Sequence, residues 1–160
     1  MNYMQKYLSP LGKIILSSDG ENLTGLWFEG QKYFPEKLGE EKILPIFEKT
    51  FEWLEIYFSG EEPKFTPQIK IFDTDFRKKV CENLLKIPYG KLTTYGEIAK
   101  KINSSPRAVG GAVGHNPISI IIPCHRVIGS NGNLTGYAGG IDKKIKLLEL
   151  ERADIKNFLS

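Results

Sequence analysis

The sequence predicts an α/β protein of two domains, a strand-rich one followed by a mostly helical one. β-branched, aromatic and aliphatic residues separated by turn signals fill positions 3–28. From residue 73 onward, capping residues and apolar residues at helical spacing indicate helices instead. The charge also changes sign, because residues 1–72 hold 8 Lys and Arg against 11 Asp and Glu, whereas residues 73–160 hold 14 against 8. We therefore place a boundary near residue 72, which gives domains of 1–72 and 73–160.

Three strands and one helix are predicted in the first domain. The strands span Tyr3–Leu8, Lys13–Ser17 and Leu23–Phe28, separated by a Ser-Pro-Leu-Gly turn and an Asp-Gly turn. A helix is expected from Pro45, because proline suits a first helical turn and apolar residues recur there along one face. Gly60 is expected to end this helix. The residues predicted to form its buried face are Phe47, Phe51, Leu54 and Phe58.

Four helices are predicted in the second domain, each from a capping signal or from apolar residues at helical spacing. The inward face of the first is expected to carry Phe76, Val80, Leu84 and Ile87. The predicted helices run from Asp73 or Thr74 to about Ile87, from Thr94 to about Ile102, from Pro106 to Val113, and from about Asp142 to about Asp154.

The third of these helices, PRAVGGAV, is unusual because nearly all of its side chains are small. Gly110 and Gly111 in its middle each cost about 1 kcal/mol of helix stability relative to alanine, but small residues let another surface approach the backbone closely. One interpretation is a helix-turn-helix whose second helix enters a DNA groove. The other is a helix packed tightly against a neighbouring helix, and the sequence leaves both open. The basic second domain favours a nucleic-acid partner only weakly.

A cysteine beside a histidine is the main candidate for chemistry. Cys124 and His125 are adjacent within IIIPCHRVI at 120–128. A thiol with its ordinary pKa of about 8.5 is a weak nucleophile until a base or a cation stabilises the thiolate. Neighbours on a strand point to opposite faces. His125 can therefore act on Cys124 only through a water or where the backbone bends, which Pro123 favours.

A carboxylate is needed to orient the imidazole, and the sequence offers Glu151 or Glu149 on the last helix. The competing interpretation of a lone cysteine after three isoleucines is a small buried hydrophobic residue. We prefer that interpretation for Cys81, which falls inside an amphipathic helix.

No cofactor, metal or membrane segment is expected. The two cysteines and two histidines match no zinc-binding spacing, and the chain contains neither a phosphate loop nor a dinucleotide-binding motif. No apolar run approaches the roughly 20 residues of a membrane span. Two cysteines without paired spacing, together with an N-terminus that lacks an apolar centre, predict a cytoplasmic protein.

The motif PCHR flanked by aliphatic residues resembles the active-site signature of the O6-alkylguanine-DNA alkyltransferases, also called methylated-DNA–protein-cysteine methyltransferases. The resemblance extends through 76–102, PRAVGGAVGHNP at 106–117 and GYAGG at 136–140, in the family's order and spacing. It implies a ribonuclease H-like first domain, which matches more loosely, and a winged helix-turn-helix second domain. It also implies DNA repair by transfer of an alkyl group from O6-alkylguanine to the protein's own cysteine. O4-alkylthymine is a second candidate lesion.

The resemblance implies a role for each matching residue. Cys124 corresponds to the nucleophile that accepts the alkyl group, His125 to the base that works through a water, and Glu151 to the carboxylate that orients the base. Asn116 corresponds to the hinge asparagine before the active-site segment. Tyr95 corresponds to the tyrosine that rotates the target phosphate and donates to the departing guanine.

The DNA-contacting and pocket residues follow from the same resemblance. Arg107 corresponds to the arginine that fills the gap left by the flipped base, and Tyr137 to a wall of the alkyl pocket. Vertebrate members carry serine after this tyrosine, whereas this chain has Ala138, so one donor to O6 is absent. Some members bind zinc in the first domain, but no cysteine precedes Cys81 here. The residues expected at the DNA are Tyr95, Arg107, Ala108, Gly110 and Gly111, and those expected in the pocket are Pro123, Val127, Tyr137 and Ala138.

The resulting expectation is a monomer that binds the minor groove of double-stranded DNA and performs one irreversible transfer without a cofactor. Two rival classes are open at this point. Alkyltransferase-like proteins share the scaffold and bind alkylated DNA, but they lack the nucleophile, so Cys124 argues against them. A cysteine hydrolase using Cys124, His125 and Glu151 would turn over, but it gives no reason for the small-residue helix.

Overall fold

In the computed structural model the chain divides into two compact units. The structure describes residues 2–134 and 136–155, so the end of the predicted second domain, 156–160, lies outside the described residues. One unit contains the residues up to Phe72 together with Pro117–Ser119, and the other contains Asp73–Asn116 and the residues from Ile120 onward. The predicted α/β class is confirmed. No helix of the described residues combines the length and the hydropathy required to cross a membrane.

The first unit is built on a four-stranded sheet. Strands β1 (Tyr3–Ser9), β2 (Gly12–Ser18) and β3 (Leu23–Phe28) are antiparallel neighbours, and they lie where their composition and the turns between them predict strands. The two-residue strand β4 (Glu40–Glu41) pairs parallel to β1 at the opposite edge from β3. The sequence did not indicate β4, because two consecutive glutamates carry no strand signal.

Pro117–Ser119 joins the first unit through the backbone of β3. The amide of Leu26 donates to the carbonyl of Pro117, and the amide of Ser119 donates to the carbonyl of Leu26, each at 2.9 Å. The sequence places this segment in the second domain. Leu26 is about 90 residues away in the chain, and local sequence patterns do not predict a hydrogen bond between residues so far apart.

Helix α1 (Pro45–Phe58) packs against the sheet, and Gly60, which follows its C-cap Ser59 with φ 93°, stops it as predicted. Its buried face differs from the predicted one. Phe51 and Phe58 are only half-buried, and Phe51 stacks on Tyr7 with ring centroids 5.4 Å apart. Phe47 and Leu54 are buried as predicted, but aromatic residues occur on several sides of this helix, so the spacing of the phenylalanines did not identify the rest of the buried face. The buried residues of α1 are Ile46, Phe47, Thr50, Trp53, Leu54 and Tyr57.

The described residues of the second unit form four helices, a short parallel pair of strands and a single turn of 3-10 helix. Strand β5 (Thr93–Thr94) pairs with β6 (Val127–Ile128), and the 3-10 turn (Cys124–Arg126) directly precedes β6. The elements are α2 (Asp75–Leu84), β5 (Thr93–Thr94), α3 (Tyr95–Lys101), α4 (Pro106–Gly114), the 3-10 turn (Cys124–Arg126), β6 (Val127–Ile128) and α5 (Ile141–Leu150).

Helix α2 begins as predicted but ends three residues early. The Thr74 hydroxyl accepts from the amide of Arg77 and caps the helix. Phe76, predicted to point inward, is 38% exposed, because it lies in the first turn, before the part of the helix that packs. Val80 and Leu84 are fully buried.

Helices α3 and α4 form the predicted helix-turn-helix pair, and each begins at its predicted cap. The Thr94 hydroxyl accepts from the amide of Glu97, and the Ser105 hydroxyl accepts from the amide of Ala108. Between them, Asn103 adopts φ 54° and the amide of the next residue bonds back to Ala99, which is a Schellman ending. This ending turns the chain sharply, so that α4 packs against α3.

Helix α5 ends at Leu150, four residues before the predicted end near Asp154. Glu151 is the C-cap residue, and Arg152 follows with φ 57°. The amide of Ala153 bonds to the carbonyl of Leu148, which completes a second Schellman ending. The sequence missed this ending because arginine, rather than glycine, takes the left-handed position.

Candidate active site

Cys124 begins a buried turn rather than lying in a strand. Its amide donates to the carbonyl of Ile122 at 2.8 Å, and Pro123 before it has ψ 65°. Cys124 is 5% exposed and His125 is fully buried. Because the backbone bends at Pro123, the alternation of an extended strand does not separate the thiol from the imidazole.

Asn116 fixes the segment that leads into this turn. Its Nδ2 atom donates to the carbonyl of Ile122 at 2.8 Å, and the residue is 5% exposed. A hydrogen bond from the same side chain also favours the thiolate of Cys124. Asn116 therefore acts on both the position and the charge of the sulfur.

Glu151 is the carboxylate that meets the histidine, and the sequence alone did not choose it over Glu149. Its Oε2 atom lies 2.6 Å from Nε2 of His125. Arg126 donates to Oε1 from Nε at 2.8 Å and to Oε2 from Nη2 at 3.1 Å. The amide of Gly90 donates to Oε1 at 3.1 Å. Glu149 is exposed.

The charges of this cluster follow from its hydrogen bonds. Burial alone would raise the pKa of Glu151, but the hydrogen bonds from His125 and Arg126 and the charge of Arg126 outweigh burial and hold that pKa well below its usual range. Burial lowers the pKa of His125, and this outweighs the attraction of Glu151. We therefore assign an anionic Glu151, paired with Arg126, and a neutral His125. The neutral ring donates from Nε2 to Glu151, which leaves the basic lone pair on Nδ1.

The sulfur of Cys124 rests mainly as a thiol. Burial raises the pKa of Cys124, opposed by the side chain of Asn116 and the positive charge of Lys144. A neutral imidazole next in sequence, with its lone pair on Nδ1, is the kind of base that can remove the proton.

Tyr95 lies between the small-residue helix and the loop at 136–140. A Cβ atom at Gly110 would be 3.9 Å from Cδ1 of Tyr95, and one at Gly136 would be 3.1 Å from its Oη. Burial raises the pKa of Tyr95, and Cys124 in its thiolate form raises it further. The phenol therefore keeps its proton at neutral pH and can donate it.

The exposed face of α4 is made of one cation and small residues. Arg107, Ala108 and Gly111 are exposed, whereas Val109, Ala112 and Val113 point inward. Within the described part of the chain, a Cβ atom at Gly111 would meet nothing closer than 4 Å. Tight helix packing therefore does not require glycine at this position, and the face is open to a partner outside the chain.

The four predicted pocket residues are all in the second unit, and they are not equally buried. Val127 is fully buried, Pro123 is buried and Tyr137 is 9% exposed, but Ala138 is only half-buried.

Sequence reasoning missed the roles of two residues. The sequence alone assigns no role to Arg126, yet its guanidinium binds Glu151 and, through Nη1, donates to the carbonyl of Ile87 at 2.7 Å. No sequence motif includes Lys144, yet its Nζ donates to the carbonyl of Val127 at 2.6 Å. A lysine spaced seven residues before Glu151, on the same helical face as buried leucines, is the signal that could have found it.

Both cysteines are free thiols, and burial, followed by the charge of Cys124, raises the pKa of Cys81 to about 12. Residues 2–134 and 136–155 contain no group of three or more His, Cys, Asp or Glu side chains placed to hold a metal ion.

Comparisons with known proteins identify the same family in both halves of the chain. Residues 75–153 match the model of the 6-O-methylguanine DNA methyltransferase DNA-binding domain, and residues 2–71 match that of its ribonuclease-like domain. A methylated-DNA–protein-cysteine methyltransferase of Haemophilus influenzae is 46% identical over 154 residues, which cover 94% of this chain and 86% of the relative.

Two solved structures from Mycobacterium tuberculosis are similar over most of their length. An O6-methylguanine methyltransferase superposes with a TM-score of 0.86 at 44% identity, covering 95% of this chain and 93% of that one. The OGT protein in complex with DNA superposes with a TM-score of 0.85 at 40% identity, covering 99% of both chains. These similarities, together with two family models that span nearly all of the sequence, show that the chain belongs to the 6-O-methylguanine DNA methyltransferase family.

Proposed function

We propose that the protein repairs DNA by direct reversal, moving the alkyl group of O6-alkylguanine in double-stranded DNA onto its own Cys124. The observation that carries this proposal is the buried turn at Cys124, in which His125 is hydrogen-bonded to Glu151. The turn supplies the nucleophile, Cys124, and its base, His125, in one place. A relative named for this activity and a similar structure solved with DNA support the choice of substrate.

The chemistry follows from the charges of the cluster. Anionic Glu151 holds the Nε2 proton of His125, so Nδ1 takes the proton of Cys124 through a bridging water. The thiolate attacks the alkyl carbon in line and forms a carbon–sulfur bond, while the bond from that carbon to O6 breaks. The electron pair returns to guanine, and Tyr95 donates its phenol proton to the leaving base. The thioether is stable, so each molecule performs a single transfer.

A base inside a duplex is out of reach of a buried sulfur, so the nucleotide must be flipped out at a cost of a few kcal/mol. Arg107 on the exposed face of α4 fills the space that the base leaves. Ala108, Gly110 and Gly111 keep the backbone of α4 close to the narrow minor groove.

The flipped base is received between the cysteine turn and the loop at 136–140, with Pro123, Val127 and Tyr137 as pocket walls. Because Ala138 has no hydroxyl, one donor to O6 is lost, and O4-alkylthymine is a second candidate substrate.

The proposed division of the chain is a supporting domain of residues 1–72 and a DNA-binding, alkyl-accepting domain of residues 73–160. We infer a cytoplasmic monomer.

The experiment is an intact-mass measurement after exposure to duplex DNA containing O6-methylguanine. We expect one added methylene equivalent, located by peptide mapping on Cys124. The matched control Cys124→Ser should bind the damaged duplex and gain no mass. Loss of the lesion with Cys124 unmodified, or many lesions processed per molecule, would indicate a hydrolase-like turnover and contradict the proposal.

A further inference from the structure

The loop of residues 87–90, Ile-Pro-Tyr-Gly, lies between α2 and β5 and meets both members of the buried ion pair. The carbonyl of Ile87 accepts from Nη1 of Arg126 at 2.7 Å. The amide of Gly90 donates to Oε1 of Glu151 at 3.1 Å. Loop 87–90 therefore gives an acceptor to the cation and a donor to the anion of the same pair.

Gly90 lets this loop come unusually close to Glu151. It adopts φ 77°, a conformation that disfavours any residue with a side chain. A Cβ atom at this position would also lie 3.1 Å from the backbone carbonyl oxygen of Glu151, which is tighter than ordinary van der Waals contact. The loop thus approaches Glu151 at the backbone as well as at the carboxylate, and glycine fits there without a shift of the neighbour.

Tyr89 adds a third contact, between the two hydrogen bonds. Cζ of Arg126 lies over its ring, 5.6 Å from the ring centroid, which is within the range of a cation–π interaction. The side chain of Arg126 is only 10% exposed, and Tyr89 is half-buried. The ring therefore occupies one side of a guanidinium whose nitrogens already bind Glu151 and Ile87.

Other cation–ring pairs of the chain are at the surface. Lys70, for example, lies over the ring of Phe72 at 5.1 Å, and both residues are exposed. Such a contact contributes little, because water solvates the cation well. The pair of Arg126 with Tyr89 differs, since its cation is buried and bound to a carboxylate that is itself fully buried.

The ion pair connects loop 87–90 to the base. Oε2 of Glu151 accepts from Nη2 of Arg126 and also lies 2.6 Å from Nε2 of His125. If the guanidinium moved away, the carboxylate would lose the partner that fixes its orientation toward the imidazole. Two opposite charges attract more strongly where water is kept away, so a ring over the guanidinium favours the paired arrangement.

We propose that Tyr89 is a positioning residue for the transfer, whose ring holds Arg126 on Glu151 and so fixes the tautomer of His125. It acts through these residues and needs no contact with the alkyl group. The role rests on the proposed function, because the tautomer matters to transfer only if His125 is the base for Cys124.

The test observes the imidazole directly and contains no DNA. Nitrogen NMR of the histidine rings separates a protonated ring nitrogen from an unprotonated one, and His115→Gln assigns the signals, because the chain has two histidines. Tyr89→Leu removes the ring, whereas Tyr89→Phe keeps the ring and removes the hydroxyl. Phe72→Leu is the matched control, since it removes the ring of an exposed cation–ring pair.

In the wild type and in Tyr89→Phe we expect one tautomer of His125, with Nε2 protonated and Nδ1 unprotonated. In Tyr89→Leu the two nitrogen shifts should move toward each other as the second tautomer becomes populated. Methyl transfer from duplex DNA should slow by about tenfold or more in this variant, because the base is misplaced. Phe72→Leu should keep the wild-type shifts and rate.

Thermal unfolding distinguishes positioning from packing. A ring that only packs would lower Tm in Tyr89→Leu and leave the His125 shifts unchanged, and that result would overturn the proposal. Equal shift changes in Tyr89→Phe and Tyr89→Leu would also overturn it, because the ring face would not be the active feature. If Tyr89→Leu does not fold, Tyr89→Met takes its place, since methionine adapts to irregular space.

The same measurements separate this proposal from the proposed function. Altered His125 shifts in Tyr89→Leu, in a protein whose wild type takes no methyl group from DNA, would count against the function alone. Normal methyl transfer by the wild type with unaltered shifts in Tyr89→Leu would count against Tyr89 alone.

Discussion

Arg126 and Glu151 form a buried bidentate ion pair, with Nε to Oε1 at 2.8 Å and Nη2 to Oε2 at 3.1 Å. The same carboxylate meets His125 at 2.6 Å. Because the guanidinium keeps Glu151 ionised, the carboxylate accepts the Nε2 proton and selects the tautomer whose lone pair is on Nδ1. Arg126 therefore acts on Cys124 indirectly. It keeps Glu151 ionised, and Glu151 selects the tautomer of His125.

The first prediction concerns the carboxylate. Glu151→Gln leaves Arg126 buried without its counter-charge, which is expected to destabilise the fold by about 3–5 kcal/mol. It also weakens the orientation of His125, so methyl transfer should slow by about 100-fold or more. Urea unfolding and single-turnover transfer from duplex DNA measure the two effects.

Glu149→Gln is the matched control, because Glu149 is exposed two residues away on the last turn of α5. It should change stability by less than about 0.5 kcal/mol and leave the transfer rate at its wild-type value. Similar losses in both variants would contradict the assignment of Glu151 as the orienting carboxylate.

The second prediction is loss of stability in acid. The pKa of His125 is lowered in the folded protein, so below about pH 6.5 the unfolded chain binds more protons and the free energy of unfolding falls. Glu151, whose pKa is also lowered, adds a loss in the same direction below about pH 4.5. The expected slope for one proton is about 1.4 kcal/mol per pH unit.

Urea unfolding at about pH 5, 6 and 7.5 measures this slope. In His125→Gln the slope between about pH 5 and 6.5 should flatten, because the titrating group is gone. A wild-type protein equally stable at these pH values would show that His125 is not held neutral.

The sequence predicted most of the elements but not the geometry of the site. Caps at Thr74, Thr94 and Ser105 were readable because each is a local bond between a hydroxyl and an amide three residues later. The end of α5 was not readable, since Arg152 takes a left-handed conformation that usually signals itself by glycine. That ending is what makes Glu151 a capping residue rather than one more helical position.

Local sequence patterns do not predict the hydrogen-bond partners of Lys144 and Arg126. Lys144 meets a carbonyl 17 residues away, and Arg126 meets a carbonyl 39 residues away. Spacing on a helix gives the face on which Lys144 lies, but only the folded chain shows which carbonyl that face meets.

The third prediction concerns Arg107, which is exposed on α4. If its side chain fills the space of the flipped base, Arg107→Ala should slow transfer from duplex DNA by about 10- to 100-fold. Reaction with free O6-methylguanine base should change by less than about twofold, since that substrate needs no flipping. Equal losses on both substrates would contradict this role.

The fourth prediction uses two glycines that face different surroundings. A Cβ atom at Gly111 meets nothing within 4 Å in the described part of the chain, so Gly111→Ala should raise the free energy of unfolding by up to about 1 kcal/mol. The same methyl group would separate α4 from a groove, so binding to duplex DNA should weaken by about tenfold or more, ~1.4 kcal/mol.

Gly136→Ala is the contrasting variant, because Gly136 has φ 97° and its Cβ would lie 3.1 Å from Oη of Tyr95. It should lower the free energy of unfolding by about 1–2 kcal/mol, since alanine is strained at that φ. Chemical denaturation and fluorescence anisotropy with labelled duplex measure the two quantities. The distinguishing result is Gly111→Ala as a more stable protein that binds DNA less tightly. If that variant binds duplex DNA with wild-type affinity, the exposed glycine face of α4 is not the surface that meets the DNA.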